Sequence, residues 1–180
     1  MGRSGKGVAR AAVLGALWWL AGDGLEARDF TLPGPVHDML RITVGGPWES
    51  GAVHHALLGA HRRLGRAECQ RVFSDFADPA GRPLQRRLDE LRRTAQEVLA
   101  GVSYRDGSRR PLCARPAVLA LTVPGSWVVW VCPQFVDKRF KDPSYAEAAL
   151  IHEVLHVLGL GENPPTSAAI THRVMARCGG

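Results

Sequence analysis

Residues 149–162 read ALIHEVLHVLGLGE, an apolar run that contains two histidines and a glutamate close together. The run predicts a helix that is buried on most of its surface, and three ionisable groups in such a helix are costly unless a partner binds them. Side chains four residues apart share one face of a helix, so His152 and His156 can bind the same metal ion. Glu153 lies about 100° further around the turn, within reach of a water at that ion. The fold is therefore expected to place this helix centrally, with a metal site on one face.

The first 27 residues predict a secretory signal peptide. Three basic residues within the first ten precede an apolar run of about a dozen residues, which is short for a membrane span. Cleavage is expected after Ala21 or after Ala27, with an uncleaved membrane anchor as the alternative. Residues 28–180 are long enough to form a single domain with its own hydrophobic core. We therefore predict a secreted or periplasmic protein that has no stable membrane insertion after signal cleavage.

The four cysteines are Cys69, Cys113, Cys132 and Cys178, an even number that suits an exported chain because such compartments are oxidising. Four cysteines can pair in three ways. We favour a disulfide between Cys113 and Cys132, because these residues flank two strand-like runs joined by a turn. This choice leaves Cys69 to pair with Cys178. A structural zinc site made of cysteines is disfavoured, since no two cysteines have the close spacing that such sites use.

The expected fold is α+β, with a small mixed sheet packed on the central helix. Two runs rich in β-branched and aromatic residues, Val118–Val123 and Trp127–Val131, predict strands joined by a Pro-Gly-Ser turn. A shorter strand is expected at Val102–Tyr104. The second of the two long runs could offer an edge to which an extended peptide pairs.

Helices are predicted before and after these strands in the chain. One is expected near Gly51–Leu64, and a long one from Pro83 to Gly101, where a leucine stripe is accompanied by opposite charges at i,i+4 spacing. Asp142 is expected to cap the central helix, and Gly159 to end it in a left-handed conformation. Thr166 or the residue after it can cap a last helix.

The chain is basic, with a formal net charge of +6 and a pI near 9.7. Such a charge is compatible with nucleic acid or an anionic surface as a partner. The basic residues, however, are scattered without interleaved aromatic residues, and the densest basic stretch is typical of a solvated helix face. We therefore predict no nucleic-acid partner.

The motif and the residues after it resemble the zincin metallopeptidases, and more closely the metzincin branch, whose pattern is HExxHxxG followed two residues later by histidine or aspartate. In that family the glycine lets the chain leave the helix sharply and return a third ligand to the metal. By this resemblance Gly159 corresponds to the glycine, and Glu162 joins His152 and His156 as the third metal ligand. Glutamate departs from the family's usual residue, and His172 in the last helix is the alternative ligand.

The chain is also similar to exported bacterial proteins that carry an HExLHxLGLGENPP-type segment, and that similarity covers about the last seventy residues. The implied fold is zincin-like, with the HExxH helix as the active-site helix. The implied function is that of a secreted zinc metallopeptidase acting on a peptide or protein substrate.

In such an enzyme zinc would polarise the substrate carbonyl and activate water, and Glu153 would act as the general base. Tyr104 and Tyr145 are both candidates for stabilising the oxyanion. The alternative function is a non-catalytic, secreted, zinc-stabilised binding module, in which His152 and His156 are structural and Glu153 is dispensable. An accidental motif without stoichiometric zinc is the remaining reading.

Overall fold

The described part of the chain is built around a small four-stranded sheet. The computed structural model describes residues 40–179, so the predicted signal peptide, residues 1–27, lies outside the described residues. The strands are β1 (Arg41–Thr43), β2 (Ser103–Asp106), β3 (Ala120–Leu121) and β4 (Val128–Val131). They lie in the order β1-β2-β4-β3, with β1, β2 and β4 parallel and β3 antiparallel to β4 at one edge. A mixed fold of helices and a small mixed sheet is therefore confirmed.

The two predicted β-rich runs form the hairpin of β3 and β4. Gly125 takes a φ of 82° in the connecting turn, a left-handed conformation that glycine adopts without steric cost. Strand β3 is shorter than the predicted Val118–Val123. Thr122 ends the ladder, because its hydroxyl donates to the Val128 carbonyl and its backbone amide donates to the Glu153 carboxylate.

Most of the remaining described residues lie in helices, and one helix is central. The α-helices of the described residues are α1 (Pro47–Leu64), α2 (Ala67–Gln70), α3 (Val72–Asp75), α4 (Leu84–Leu91), α5 (Ala95–Gly101), α6 (Gln134–Lys141), α7 (Pro143–Val157) and α8 (Ser167–Cys178). A short 3-10 helix covers Pro111–Ala114. Helix α7 packs against α1, α6, α8 and β3, and all of its residues from Leu150 to Val157 are buried. The motif helix thus occupies the core, as the apolar run predicts.

The predicted long helix from Pro83 to Gly101 is wrong, because the chain forms two helices there. Arg92 ends α4 in a left-handed conformation with a φ of 51°. The Thr94 hydroxyl then accepts a hydrogen bond from the Glu97 amide, and the Glu97 carboxylate accepts one from the Thr94 amide. This reciprocal capping box starts α5, and it overrides the continuous leucine stripe on which the prediction was based.

Both predicted disulfides are present. Cys113–Cys132 joins the 3-10 helix to the residue after β4, and Cys69–Cys178 joins α2 to the last residue of α8. No cysteine in residues 40–179 is free. These two disulfides fit a secreted protein. None of the helices in the described range is both long and apolar enough to cross a membrane.

Candidate metal centre

Helix α7 begins and ends where the sequence predicts. Asp142 caps it by accepting a hydrogen bond from the Tyr145 amide at 3.1 Å. Gly159 follows its end with a φ of 108°, a conformation that a residue with a side chain rarely adopts. The chain turns sharply at this glycine, and Glu162 returns to the face of α7 that carries the two histidines.

Three donor atoms meet on that face. The Nε2 atoms of His152 and His156 are 2.9 Å apart, and Glu162 Oε1 lies 3.3 Å from His156 Nε2 and 3.7 Å from His152 Nε2. Two ligands bonded at about 2.1 Å to one tetrahedral ion are roughly 3.4 Å apart. The triangle of donors therefore already has the size that a tetrahedral metal ion requires, and the three residues could hold such an ion.

The other nitrogen of each imidazole is bonded to a neighbour. His156 Nδ1 lies 2.7 Å from the Leu160 carbonyl oxygen, which can only accept, so Nδ1 carries the proton and a neutral ring presents a lone pair at Nε2. His152 Nδ1 lies 3.0 Å from the Thr171 hydroxyl. Such partners fix the ring orientation of metal-binding histidines. Thr171 is on α8, so this helix supports the site as well as α7.

Burial keeps His152 ready to bind a cation. Burial first, and then the charge of the facing His156, lowers the pKa of His152 to about 3. The ring is therefore neutral at physiological pH, which is the form that binds a metal. The two Nε2 atoms and Glu162 Oε1 face one another across the triangle, so a cation bound between them would be shared by all three donors.

Glu153 lies beside the triangle without belonging to it. Burial raises its pKa to about 8, the negative charge of Glu162 adds to this, and a hydrogen bond from the Thr122 backbone amide opposes it. Its Oε2 atom is buried and has no hydrogen-bond partner among the described residues. Leaving a buried carboxylate oxygen unpaired is costly, so this atom marks a place where another molecule is expected to bind.

The triangle opens into a cleft of about 400 Å³. One part of the lining comes from α7, a second from the stretch between Leu112 and Pro124, and a third from Glu162, Ser167 and Thr171. Strand β3 lies at the edge of the sheet beside this cleft. The prediction that Trp127–Val131 offers an edge to a peptide is wrong, because this run forms β4, which is enclosed between β2 and β3.

The structure separates the remaining predicted candidates. His172, the alternative third ligand, is exposed and lies outside the cleft lining. Tyr104 is fully buried and its hydroxyl donates to the Leu99 carbonyl at 2.9 Å, so it cannot stabilise an oxyanion in the cleft. Tyr145 does line the cleft.

Sequence reasoning missed the groups that support the site. Thr171 is adjacent to His172 in the chain, and a helix turns by about 100° per residue, so the hydroxyl faces the site while the imidazole faces solvent. The capped last helix and the i,i+4 spacing of the motif could have placed Thr171 only if the packing of α8 on α7 were known. The Leu160 carbonyl and the Thr122 amide are backbone groups, for which the sequence carries no residue-specific signal.

The arrangement is chemically suited to a metal that accepts nitrogen and oxygen ligands. Two imidazole nitrogens and one carboxylate oxygen suit zinc and its neighbours among the transition metals. Three protein ligands leave a fourth position to a water or a substrate. No known protein family, no curated protein sequence and no solved structure matches the chain.

Proposed function

We propose that this protein is a secreted zinc metallopeptidase with a zincin-like fold. One observation carries the proposal: three metal-binding atoms converge on a buried helix, and the unpaired oxygen of Glu153 lies beside them in the same cleft. A metal site that serves only stability needs the first of these features. Hydrolysis needs both, because a base has to receive the proton of the attacking water.

The architecture around the site supports the zincin-like assignment. The HExxH helix α7 is the central helix of the described residues, and the small sheet places an antiparallel strand, β3, at the edge beside the cleft. Gly159 reverses the chain immediately after the helix, and Glu162 follows in the position of a third ligand. The motif helix, the glycine after it and the returning carboxylate are the features that the resemblance to metzincins implies.

The ion would be held by His152 Nε2, His156 Nε2 and Glu162 Oε1. When bound, zinc supplies Lewis acidity that polarises a substrate carbonyl and makes a nearby water more acidic. The hydrogen bonds that the two rings make with the Thr171 hydroxyl and the Leu160 carbonyl hold the rings in place, so little reorganisation is needed on binding.

Glu153 moves the proton. The Thr122 amide fixes its carboxylate, and Oε2 accepts the proton of the water as the water oxygen bonds to the peptide carbon. Glu153 then gives this proton to the amine nitrogen as the carbon–nitrogen bond breaks. A carboxyl group whose pKa is raised toward neutrality is suited to both transfers.

The substrate in this proposal is a peptide in an extended conformation. Strand β3 has a neighbour on only one side, so the other side of its backbone can pair with an added strand. Ala120, Leu121 and Thr122 all line the cleft. A peptide paired with β3 would therefore run along the cleft past Glu153.

Metal analysis and peptide hydrolysis test the proposal with one set of variants. The protein should contain about one zinc per chain, as expected for a three-ligand site. His156→Ala should lose the zinc, whereas the matched control His172→Ala should retain zinc and activity. Glu153→Gln should retain zinc and lose hydrolysis by about 10² to 10⁴-fold, because the amide cannot accept the proton.

The outcomes distinguish the candidate functions. A Glu153→Gln protein that hydrolyses peptides as fast as the parent would refute the mechanism. A parent that binds stoichiometric zinc through these ligands and cleaves no peptide in a diverse mixture would instead be the zinc-stabilised binding module. Absence of stoichiometric zinc would remove both functions.

A further inference from the structure

The chain between Asp106 and Asp137 has an unusual charge pattern. No aspartate or glutamate occurs in these 30 residues, from Gly107 to Val136, and the charged residues are Arg109, Arg110 and Arg115. The lining residues between Leu112 and Pro124 belong to this stretch. A basic segment without carboxylates therefore contributes to the wall of the cleft.

Among the described residues that line the cleft, Arg115 is the only lysine or arginine. Its side chain is exposed and makes no ion pair or hydrogen bond with other side chains in residues 40–179. The other two arginines of the stretch are engaged elsewhere. Arg110 stacks on Trp130 at 3.7 Å, and the charge of Arg109 contributes to lowering the pKa of Asp106.

The backbone at Arg115 is held firmly. The side-chain amide of Gln134 donates to the carbonyls of Cys113 at 3.2 Å and of Arg115 at 2.8 Å, and also to that of Val118. The disulfide Cys113–Cys132 fixes the same segment to β4. The backbone of Arg115 therefore needs no ordering when a ligand binds to its side chain, and this reduces the cost of binding.

The electrostatics of the cleft favour an anionic ligand at Arg115. A divalent ion bound at the site would offset the negative charge of the carboxyl groups beside it, Glu153 and Glu162. The charge of Arg115 then remains without a counterion in the cleft. Guanidinium and carboxylate form a planar pair with two parallel hydrogen bonds.

We propose that Arg115 binds a carboxylate of the substrate, so that the cleft selects peptides carrying an acidic side chain or a free carboxyl terminus. This inference rests on the proposed function in taking a peptide as the ligand of the cleft. Arg115 is then a specificity-determining residue rather than a member of the hydrolytic machinery.

The test separates binding from hydrolysis. The zinc-loaded Glu153→Gln protein is titrated calorimetrically with end-blocked peptides of alanine and serine in which one glutamate is moved through successive positions, and with the same peptides carrying glutamine. A third set has alanine and serine alone with a free carboxyl terminus, which distinguishes an acidic side chain from a terminal carboxylate. At least one carboxylate position should bind about five- to tenfold more tightly than its neutral counterpart.

Two further variants in the same background decide the assignment. Arg115→Gln should abolish the preference, whereas Arg109→Gln, a neighbouring arginine outside the cleft, should preserve it. Raising the salt concentration should reduce the preference, because exposed charge pairs are screened. No preference at any position, or a preference that survives in Arg115→Gln, would overturn the inference.

Hydrolysis of the same peptides by the parent protein is measured in parallel. Binding that prefers a carboxylate through Arg115 without cleavage of any peptide would sink the proposed function and leave the inference standing. Cleavage with equal kcat/KM for the acidic and the neutral peptides would refute the inference about Arg115 and leave the proposed function standing.

Discussion

His152 and His156 are 5% and 4% exposed, whereas the side chain of Glu162, the third member of the same triangle, is 39% exposed. Each histidine is held by a second partner, Thr171 or Leu160. Glu162 has no hydrogen-bond partner among the described residues beyond its contacts with the two histidines. The buried half of the site therefore sets the geometry, and the exposed half can adapt to what binds.

The largest loss of zinc affinity is expected when a buried ligand is removed. His156→Ala should weaken zinc binding by about a hundred- to a thousandfold, because no neighbouring group can replace a ligand in the core. Competition with a chelator of known affinity measures the change. A His156→Ala protein that binds zinc within a few-fold of the parent would show that the buried histidines do not determine the zinc affinity.

Glu153 is also buried, and its contribution to the free energy of unfolding depends on pH. Its folded pKa of about 8 lies above the ordinary value of 4.5, so the folded chain keeps a proton that the unfolded chain releases between these values. The metal-free protein should therefore be most stable below about pH 4.5 from this group, and should lose stability as the pH rises toward 8.

Urea unfolding in the presence of a chelator measures this contribution. The stability difference between Glu153→Gln and the parent should grow from pH 5 to pH 8, by the order of a few kcal/mol. Taking the difference between the two proteins removes the contribution of other titrating groups. A difference that stays constant with pH would show that the carboxyl group is not desolvated.

The exposed half predicts a smaller change in affinity. Glu162→Ala should weaken zinc binding by about thirtyfold, less than His156→Ala, because water can occupy the position of an exposed ligand. Metal titration of both variants gives the ratio. If Glu162→Ala binds zinc as tightly as the parent while His172→Ala does not, the third ligand is His172 and the triangle is not the metal site.

The smallest loss of zinc affinity is expected when a partner of a buried histidine is removed. Thr171→Val removes the hydroxyl beside His152 at nearly constant volume, and zinc affinity should fall by about tenfold, the lower end of what such partners contribute. Thr171→Ser restores the hydroxyl and should restore the affinity. A loss of the same size in both variants would mean that packing, rather than the hydrogen bond, determines the effect.

The parts of the structure that were predicted correctly depend on local signals. Asp142 and Gly159 mark the ends of α7 because capping and a left-handed glycine act within one turn of the helix. The Cys113–Cys132 pair follows from a hairpin that brings its two ends together. The convergence of Glu162 on His152 and His156 likewise spans only a few residues.

The parts that were missed depend on competition or on distant contacts. At Arg92 a leucine stripe and a capping box make opposite predictions, and the sequence does not state which is stronger. The edge position of β3 depends on the pairing of β2 with β4, which joins segments that are far apart in the chain. Thr171 reaches His152 only because α8 packs on α7.

The disulfide between Cys69 and Cys178 affects when α8 becomes attached to the rest of the fold. It joins residues separated by 109 positions, and the helix that ends at Cys178 carries the hydroxyl that steadies His152. Synthesis proceeds from the amino end, so α8 emerges after the other helices and strands of residues 40–179. In the proposed secreted protein this disulfide forms only after export, so α8, which carries Thr171, is anchored beside the proposed metal site only then.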